Sequence, residues 1–181
     1  MTATLTLTDL PLKRTSSTEQ PTVRLRAFRP NRGTDAEAFR VLNEARIRTC
    51  FVCEDRDDEL LLNSESYIMA RGGHIFFAEV NGNPVGCCAL IPMQPGVFEV
   101  GRLAVAESWR GRGIGRKLLG FVIEQARSLG ASSLYFETTG RLAGAVHLYE
   151  SMGFRRLPDE AAPTARNNVF MEMSLRFTPA T

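Results

Sequence analysis

The hydrophobic and polar positions of this chain follow two periods, which predict strands and helices in alternation. Residues 23–28 alternate apolar and polar side chains, which predicts a first strand. Two apolar runs, residues 74–80 and 84–92, flank Asn81-Gly82-Asn83, and an Asn-Gly between such runs is a strong hairpin signal. After a turn at residues 94–96, residues 98–105 predict another strand. We therefore expect three consecutive strands to form an antiparallel meander.

Helical spacing appears elsewhere in the chain. Residues 114–129 place apolar side chains on one stripe and stop at Gly130, which predicts a helix with a glycine cap. A second apolar helical pattern ends at Gly153. Strands are predicted at residues 133–138, from Phe154 and at 169–175. Strand, helix and strand in succession require a parallel crossover.

The N-terminal part gives weaker signals. Residues 1–21 are rich in Thr and Ser and predict a disordered leader before a single domain at 22–177. Thr34 and Glu37 form a predicted capping box for a helix whose apolar face carries Ala38, Phe39, Leu42 and Ala45. Another helix is predicted from Leu60 toward Ile68.

Composition narrows the class of protein. The 181 residues are 44% hydrophobic and 23% charged with a net charge of +2, as expected for one globular domain. That net charge does not distinguish nucleic-acid binding, and we expect no nucleic-acid partner. No apolar run is long enough for a membrane span, and the first residues do not look like a secretory signal, so we expect a cytoplasmic protein without membrane contact.

The clearest indication of a binding function is the stretch Arg110-Gly111-Arg112-Gly113-Ile114-Gly115. Alternate glycines let successive main-chain N–H groups converge on an anion, and the following helix adds its positive end. The spacing differs from the G-x-G-x-x-G of dinucleotide-binding loops, and Lys117 is followed by Leu118 rather than the Ser or Thr of a P-loop. What remains is R-x-x-G-x-G, which predicts a phosphate-binding loop or, alternatively, a plain turn with solvated arginines.

A second motif, Leu148-Tyr149-Glu150-Ser151-Met152-Gly153-Phe154, closes the later helical pattern. A tyrosine on an apolar helix face is often core packing. A buried phenol nevertheless needs a polar partner, and a ligand in a cleft can provide it.

Together the two motifs resemble the GCN5-related N-acetyltransferase superfamily. The resemblance implies a mixed α/β fold with a central, largely antiparallel sheet of about seven strands and helices on both faces. It also implies acetyl-CoA as co-substrate, with its pyrophosphate in the loop. By resemblance the cofactor-binding residues are the main chain of one strand and the loop: Leu103, Ala104, Val105, Arg110, Gly111, Arg112, Gly113, Ile114, Gly115 and Arg116.

The same resemblance implies roles in catalysis. Tyr149 would protonate the departing thiolate, and Glu99 would deprotonate the attacking amine, with Glu137 as the rival base. The acetyl group would pass directly to a small-molecule or peptide amine in a ternary complex. Many relatives carry an Asn where Leu142 stands here. A non-catalytic acyl-CoA sensor, an interaction domain, a longer acyl donor and a homodimer all remain open.

The four cysteines raise the question of a metal site. Cys50 and Cys53 have the spacing of a zinc half-site, with Cys87-Cys88 as the other half. Adjacent strand residues point to opposite faces, so Cys87 and Cys88 cannot hold one ion together. We expect no metal.

Overall fold

Seven strands form one sheet in the computed structural model, which describes residues 21–50, 64–138, 142–158 and 169–175. The strands are β1 (Val23–Ala27), β2 (His74–Val80), β3 (Asn83–Gln94), β4 (Val97–Val105), β5 (Ser133–Thr138), β6 (Arg155–Arg156) and β7 (Val169–Ser174). The helices are α1 (Gly33–Cys50), α2 (Ser64–Ala70), α3 (Ile114–Ser128) and α4 (Ala143–Ser151), with a short 3₁₀ turn at Glu107–Trp109.

The strand order is β1-β2-β3-β4-β5-β7-β6. Strands β4 and β5 are the parallel pair, and the other neighbouring pairs are antiparallel. The parallel pair is joined through α3, as the strand-helix-strand pattern predicts. The predicted mixed, largely antiparallel sheet is confirmed.

The turn between β2 and β3 shows why the hairpin was predictable. Asn81 and Gly82 have φ values of 51° and 79°. Positive φ at both central residues is the requirement of a type I′ turn, and Asn-Gly meets it at little steric cost. The turn pairs Val80 with Asn83 and fixes the register of the hairpin.

Helices cover both faces of the sheet, with a hydrophobic core on each side. One core contains residues of α3 and α4, including Leu118 and Tyr149, and the other contains Phe39 of α1 and Ile68 of α2. Cys88 belongs to the first core and Cys87 to the second, so the two thiols do point to opposite faces.

The start of α1 differs from the capping-box prediction. The helix begins at Gly33, so Thr34 already lies in its first turn, and the Glu37 carboxylate accepts a hydrogen bond from Arg40 at 2.5 Å. Asp35 instead anchors this end of the helix, because it accepts two hydrogen bonds from the buried Arg26, at 2.6 and 2.8 Å. Burial by itself raises the pKa of Asp35, but the bonds from Arg26 and from Arg29 N outweigh it and hold the pKa below its ordinary value.

The buried face of α1 also differs from the prediction. Phe39 and Leu42 are buried as expected, but Ala45 is exposed. The face continues through Asn43, whose amide donates to Phe39 O at 2.8 Å, and reaches Arg46. A prediction from apolar residues alone was wrong here because polar side chains occupy the inward positions.

Several predictions fall outside the described residues. These are the leader at 1–20, the helix start near Leu60, and Cys53 with the side chain of Cys50. None of the helices in the described part is both long and apolar enough to cross a membrane. The described residues contain no group of three or more His, Cys, Asp or Glu arranged to hold a metal ion. The single domain at 22–177, the cytoplasmic location and the homodimer stay predictions.

Candidate active site

Strands β4 and β5 separate after three paired residues, and this split creates the site. Their pairing runs from Val97 opposite Ser133 to Glu99 opposite Tyr135, and β4 then continues to Val105 beside β3. The register between β3 and β4 shifts near Cys88, and Arg102 adopts a left-handed φ of 57°. This is a β-bulge, which bends a strand and re-aims its side chains.

A cavity of about 560 Å³ lies where β4 and β5 separate, and residues of six secondary-structure elements or their ends line it. Its described lining consists of Arg46, Tyr67, Arg71, Ile91, Pro92, Met93, Glu99, Gly101, Arg102, Leu103, Phe136, Glu137, Thr138, Leu142, Ala145 and Tyr149. One cavity is therefore lined by both catalytic residues predicted from the sequence, by the rival base Glu137 and by Leu103. A volume of this order suits a small ligand.

Tyr149 is the most deeply placed polar side chain of the site. It is 1% exposed, its ring stacks on Phe136 with centroids 3.5 Å apart, and Phe154 packs edge-on at 5.0 Å. Its hydroxyl has no hydrogen-bond partner among the residues that the structure describes. Burial, then Cys88 and Glu99, raise the pKa of the phenol well above 10, while Arg46 opposes them. The hydroxyl is therefore protonated at neutral pH and has a hydrogen bond to offer.

Glu99 lines the cavity from the last position of β4 that pairs with β5. Its carboxylate folds over Gly101, where an added Cβ would lie 3.0 Å from Oε1. Burial and the neighbouring Glu137 raise the pKa of Glu99, and Arg102 partly offsets them. A carboxyl group with a raised pKa is a stronger base when ionised, which suits proton abstraction near neutral pH.

The glycine loop connects the end of β4 to α3. Gly111 and Gly113 have φ values of 74° and 75°, and a Cβ on either would meet nothing within 4 Å. The glycines thus serve the backbone conformation rather than a close contact. The first hydrogen bond within helix α3 runs from Lys117 N to Gly113 O at 3.0 Å. The main-chain N–H groups of residues 114–116 therefore have no acceptor within the helix and point out of its N-terminal end.

The loop arginines hold the turn in shape. Arg110 Nε donates to Val105 O at 3.1 Å, and the Arg112 guanidinium lies 4.8 Å from the centre of the Trp109 ring. Arg116 reaches across to α4, where it donates to Ser151 Oγ at 2.6 Å. The bond from Arg116 ties the loop to the helix that carries Tyr149.

Comparison with known proteins decides the family. The family model "Acetyltransferase (GNAT) family" matches residues 39–154, which include the split strands, the glycine loop and Tyr149. The chain belongs to the GNAT acetyltransferase family. An uncharacterised N-acetyltransferase of Schizosaccharomyces pombe is 32% identical over 120 residues, covering 66% of this chain and 74% of the relative. The chain spans about half the length of other curated relatives that it matches.

Solved structures show the same fold. A GNAT acetyltransferase from Staphylococcus aureus superposes with a TM-score of 0.74 at 21% identity, over 86% of this chain and all of the other. A putative acetyltransferase from Salmonella typhimurium, solved with acetyl-CoA, gives a TM-score of 0.66 at 23% identity, over 88% of this chain and 98% of the other. At these identities the likeness establishes the GNAT fold.

Three lining residues with polar or charged side chains, Arg46, Tyr67 and Arg71, lie outside every motif that the sequence singled out in this GNAT domain. The position of Arg46 could have been predicted from helical spacing, because it follows Phe39 by seven residues and Leu42 by four and so lies on the inward face of α1. An arginine in line with buried positions needs a polar partner or a ligand. Tyr67 and Arg71 lie on or next to the short helix α2, and nothing in their sequence context marks them.

Proposed function

We propose that this GNAT protein transfers an acetyl group from acetyl-CoA to a primary amine by direct attack in a ternary complex. One observation carries the proposal. A single cavity combines the edge of β4 beyond its pairing with β5, the Tyr149 hydroxyl, which finds no partner in the described part of the chain, and the Glu99 carboxyl group with its raised pKa. A structural role alone gives no reason for a buried hydroxyl to lack a hydrogen bond.

The residues present suit acetyl-CoA. The loop at 110–116 offers main-chain N–H groups and the positive end of α3 to a diphosphate. Beyond Glu99, no described strand pairs with the edge of β4 that faces β5, so an amide-bearing arm would pair with Leu103 and Val105 as an added strand. This arrangement would lead the thioester toward the cavity that Tyr149 lines.

The side chains then divide the chemistry. Glu99 would take a proton from the ammonium group, and the neutral amine would attack the thioester carbonyl carbon. Main-chain donors near Val105 would stabilise the negative charge that develops on the carbonyl oxygen. As the carbon–sulfur bond breaks, Tyr149 would donate its proton to the thiolate. The nitrogen, which still carries one proton more than an amide, would then return a proton to the Tyr149 oxygen, giving the neutral amide and free coenzyme A, and Glu99 would release its proton to solvent. Glu137 lines the same cavity and is the alternative base.

The direct test is a coenzyme A release screen over a panel of amines, with acetyl and longer acyl donors side by side. We expect free thiol to appear only when an amine is present, with one acetyl group added to that amine by mass spectrometry. Thermal protection by coenzyme A without turnover of any amine would instead support a sensor, and absence of protection would support an interaction domain.

The loop gives a separate prediction. Gly113→Ala is expected to raise the Kd of acetyl-CoA about tenfold. A Cβ at left-handed φ costs roughly 1–2 kcal/mol, so the loop should change to a conformation that no longer presents its N–H groups to the diphosphate. Isothermal titration calorimetry measures this. The matched control is Gly130→Ala, at the other end of α3, whose φ is 76° and whose Cβ would also be unobstructed. Equal losses of affinity in both variants would contradict the loop assignment.

A further inference from the structure

Arginines outnumber glutamates in the lining of the cavity. Its described lining contains three arginines, Arg46, Arg71 and Arg102, against Glu99 and Glu137. An acceptor that brings only an ammonium group would enter a site where positive side chains are in excess. An acceptor that also carries a negative group would find a complement.

Arg46 has a buried donor that is not used within the described part of the chain. Among the described residues its buried Nε has no partner, and its Nη1 donates to Leu103 O at 3.4 Å, which is long for a hydrogen bond. A buried donor without an acceptor is costly unless a ligand supplies one. The guanidinium also lies beside Leu103 of β4 and lines the same cavity as Tyr149.

Arg71 stands at the more open side of the same cavity. Its Nη1 donates to Tyr67 Oη at 2.9 Å, and its guanidinium lies 5.1 Å from the centre of the Tyr67 ring. Both residues are exposed, so the pair forms a positively charged rim above the deeper Arg46.

We propose that the acceptor is a free α-amino acid, whose carboxylate binds Arg46 while its amino group lies beside Glu99 and Glu137. The planar guanidinium matches a carboxylate in a way that an ammonium group does not. An amino acid also carries both a positive and a negative group, which complement a cavity lined by side chains of both signs. This inference rests on the proposed acetyl transfer and narrows it to one class of amine. Polyamines and protein lysines lack the negative group.

The experiment first compares α-amino acids by coenzyme A release and then takes the best one against its carboxamide and its decarboxylated amine. These analogues keep the side chain and the amine and remove the charge. We expect kcat/KM for the amino acid to exceed both by about 10- to 100-fold, since a hydrogen bond to a charged group is worth roughly 1.5–3 kcal/mol.

Arg46→Gln tests the residue itself. We expect the substitution to lower kcat/KM for the amino acid by about 10- to 100-fold, mainly by raising KM. The kcat/KM for the decarboxylated amine should change by less than about threefold. The KM of acetyl-CoA reports any disturbance of β4. Arg24→Gln, at an exposed residue of β1 that does not line the cavity, is the matched control and should leave the kinetics with all acceptors unchanged. If Arg46→Gln fails to fold, Arg46→Lys keeps the charge but loses the planar fork and should show the same selective loss.

Three outcomes would overturn the inference while acetyl transfer stands. The carboxamide or the decarboxylated amine could be used as well as the amino acid, Arg46→Gln could affect every acceptor equally, or a peptide N-terminus or polyamine could be the better acceptor. If no amine of any class releases coenzyme A, the proposed function fails and the acceptor class fails with it.

Discussion

A Tyr149→Phe protein is expected to bind acetyl-CoA normally and to turn over at least about 100-fold more slowly. General-acid assistance contributes roughly 100- to 10 000-fold, and phenylalanine removes only the proton donor. The ring keeps its stacking on Phe136, so the shape of the cavity stays the same. Steady-state kinetics should show the loss in kcat, with the KM of acetyl-CoA nearly unchanged.

Stability distinguishes this role from a structural one. The hydroxyl of Tyr149 is buried with no partner from residues 21–50, 64–138, 142–158 or 169–175, so its removal relieves a desolvation cost and should raise the free energy of unfolding by about 1 kcal/mol. A gain in stability with a loss of turnover is typical of a functional group held at a structural cost. Denaturant unfolding measures it.

The matched control is Tyr135→Phe. Tyr135 lies on β5, stacks on Phe170 with centroids 6.3 Å apart and does not line the 560 Å³ cavity. Its variant should retain activity. Full turnover by Tyr149→Phe would remove the general-acid role, and a marked loss of stability would show that the hydroxyl has a structural partner.

The periodic parts of the fold were predictable because local rules decide them. The Asn81-Gly82 hairpin follows from a turn geometry that Asn-Gly favours, and β2 has the predicted bounds. Helix α3 starts at Ile114 as predicted and ends one residue before the predicted Leu129, because amphipathic spacing and the cap at Gly130 specify it together. The start and inward face of α1 depend on Arg26, Asp35 and Asn43, whose contacts are tertiary.

The site was predictable in its residues more than in its geometry. Motifs singled out Tyr149 and Glu99, which the structure places in one cavity, but ordinary strand alternation would turn Glu99 toward solvent. It faces a cavity because β5 departs from β4 after that position. Nothing in the sequence marks Arg102 for a left-handed φ, since bulges are set by pairing across the sheet. Arg71 joins the site only through the placement of α2.

Glu99→Gln is expected to lower kcat/KM at neutral pH by about 100-fold or more, since general-base assistance is worth roughly 100- to 10 000-fold. Glutamine has nearly the same size, so it should keep the contact with Gly101 while losing the proton acceptor. Glu137→Gln is the matched variant, and a larger loss there would assign the base to Glu137.

The pH dependence gives the sharper measurement. Burial and Glu137 raise the pKa of Glu99, so its basic form appears only as the pH rises through a value above that of an ordinary glutamate. The wild-type kcat/KM should therefore rise through an apparent pKa above the usual glutamate range. In Glu99→Gln that limb should vanish, because no group with this pKa then accepts the proton. The variant should depend on the fraction of amine already neutral, so its deficit shrinks at high pH. An unchanged pH–rate profile in Glu99→Gln would show that another group, with Glu137 the first to examine, removes the proton.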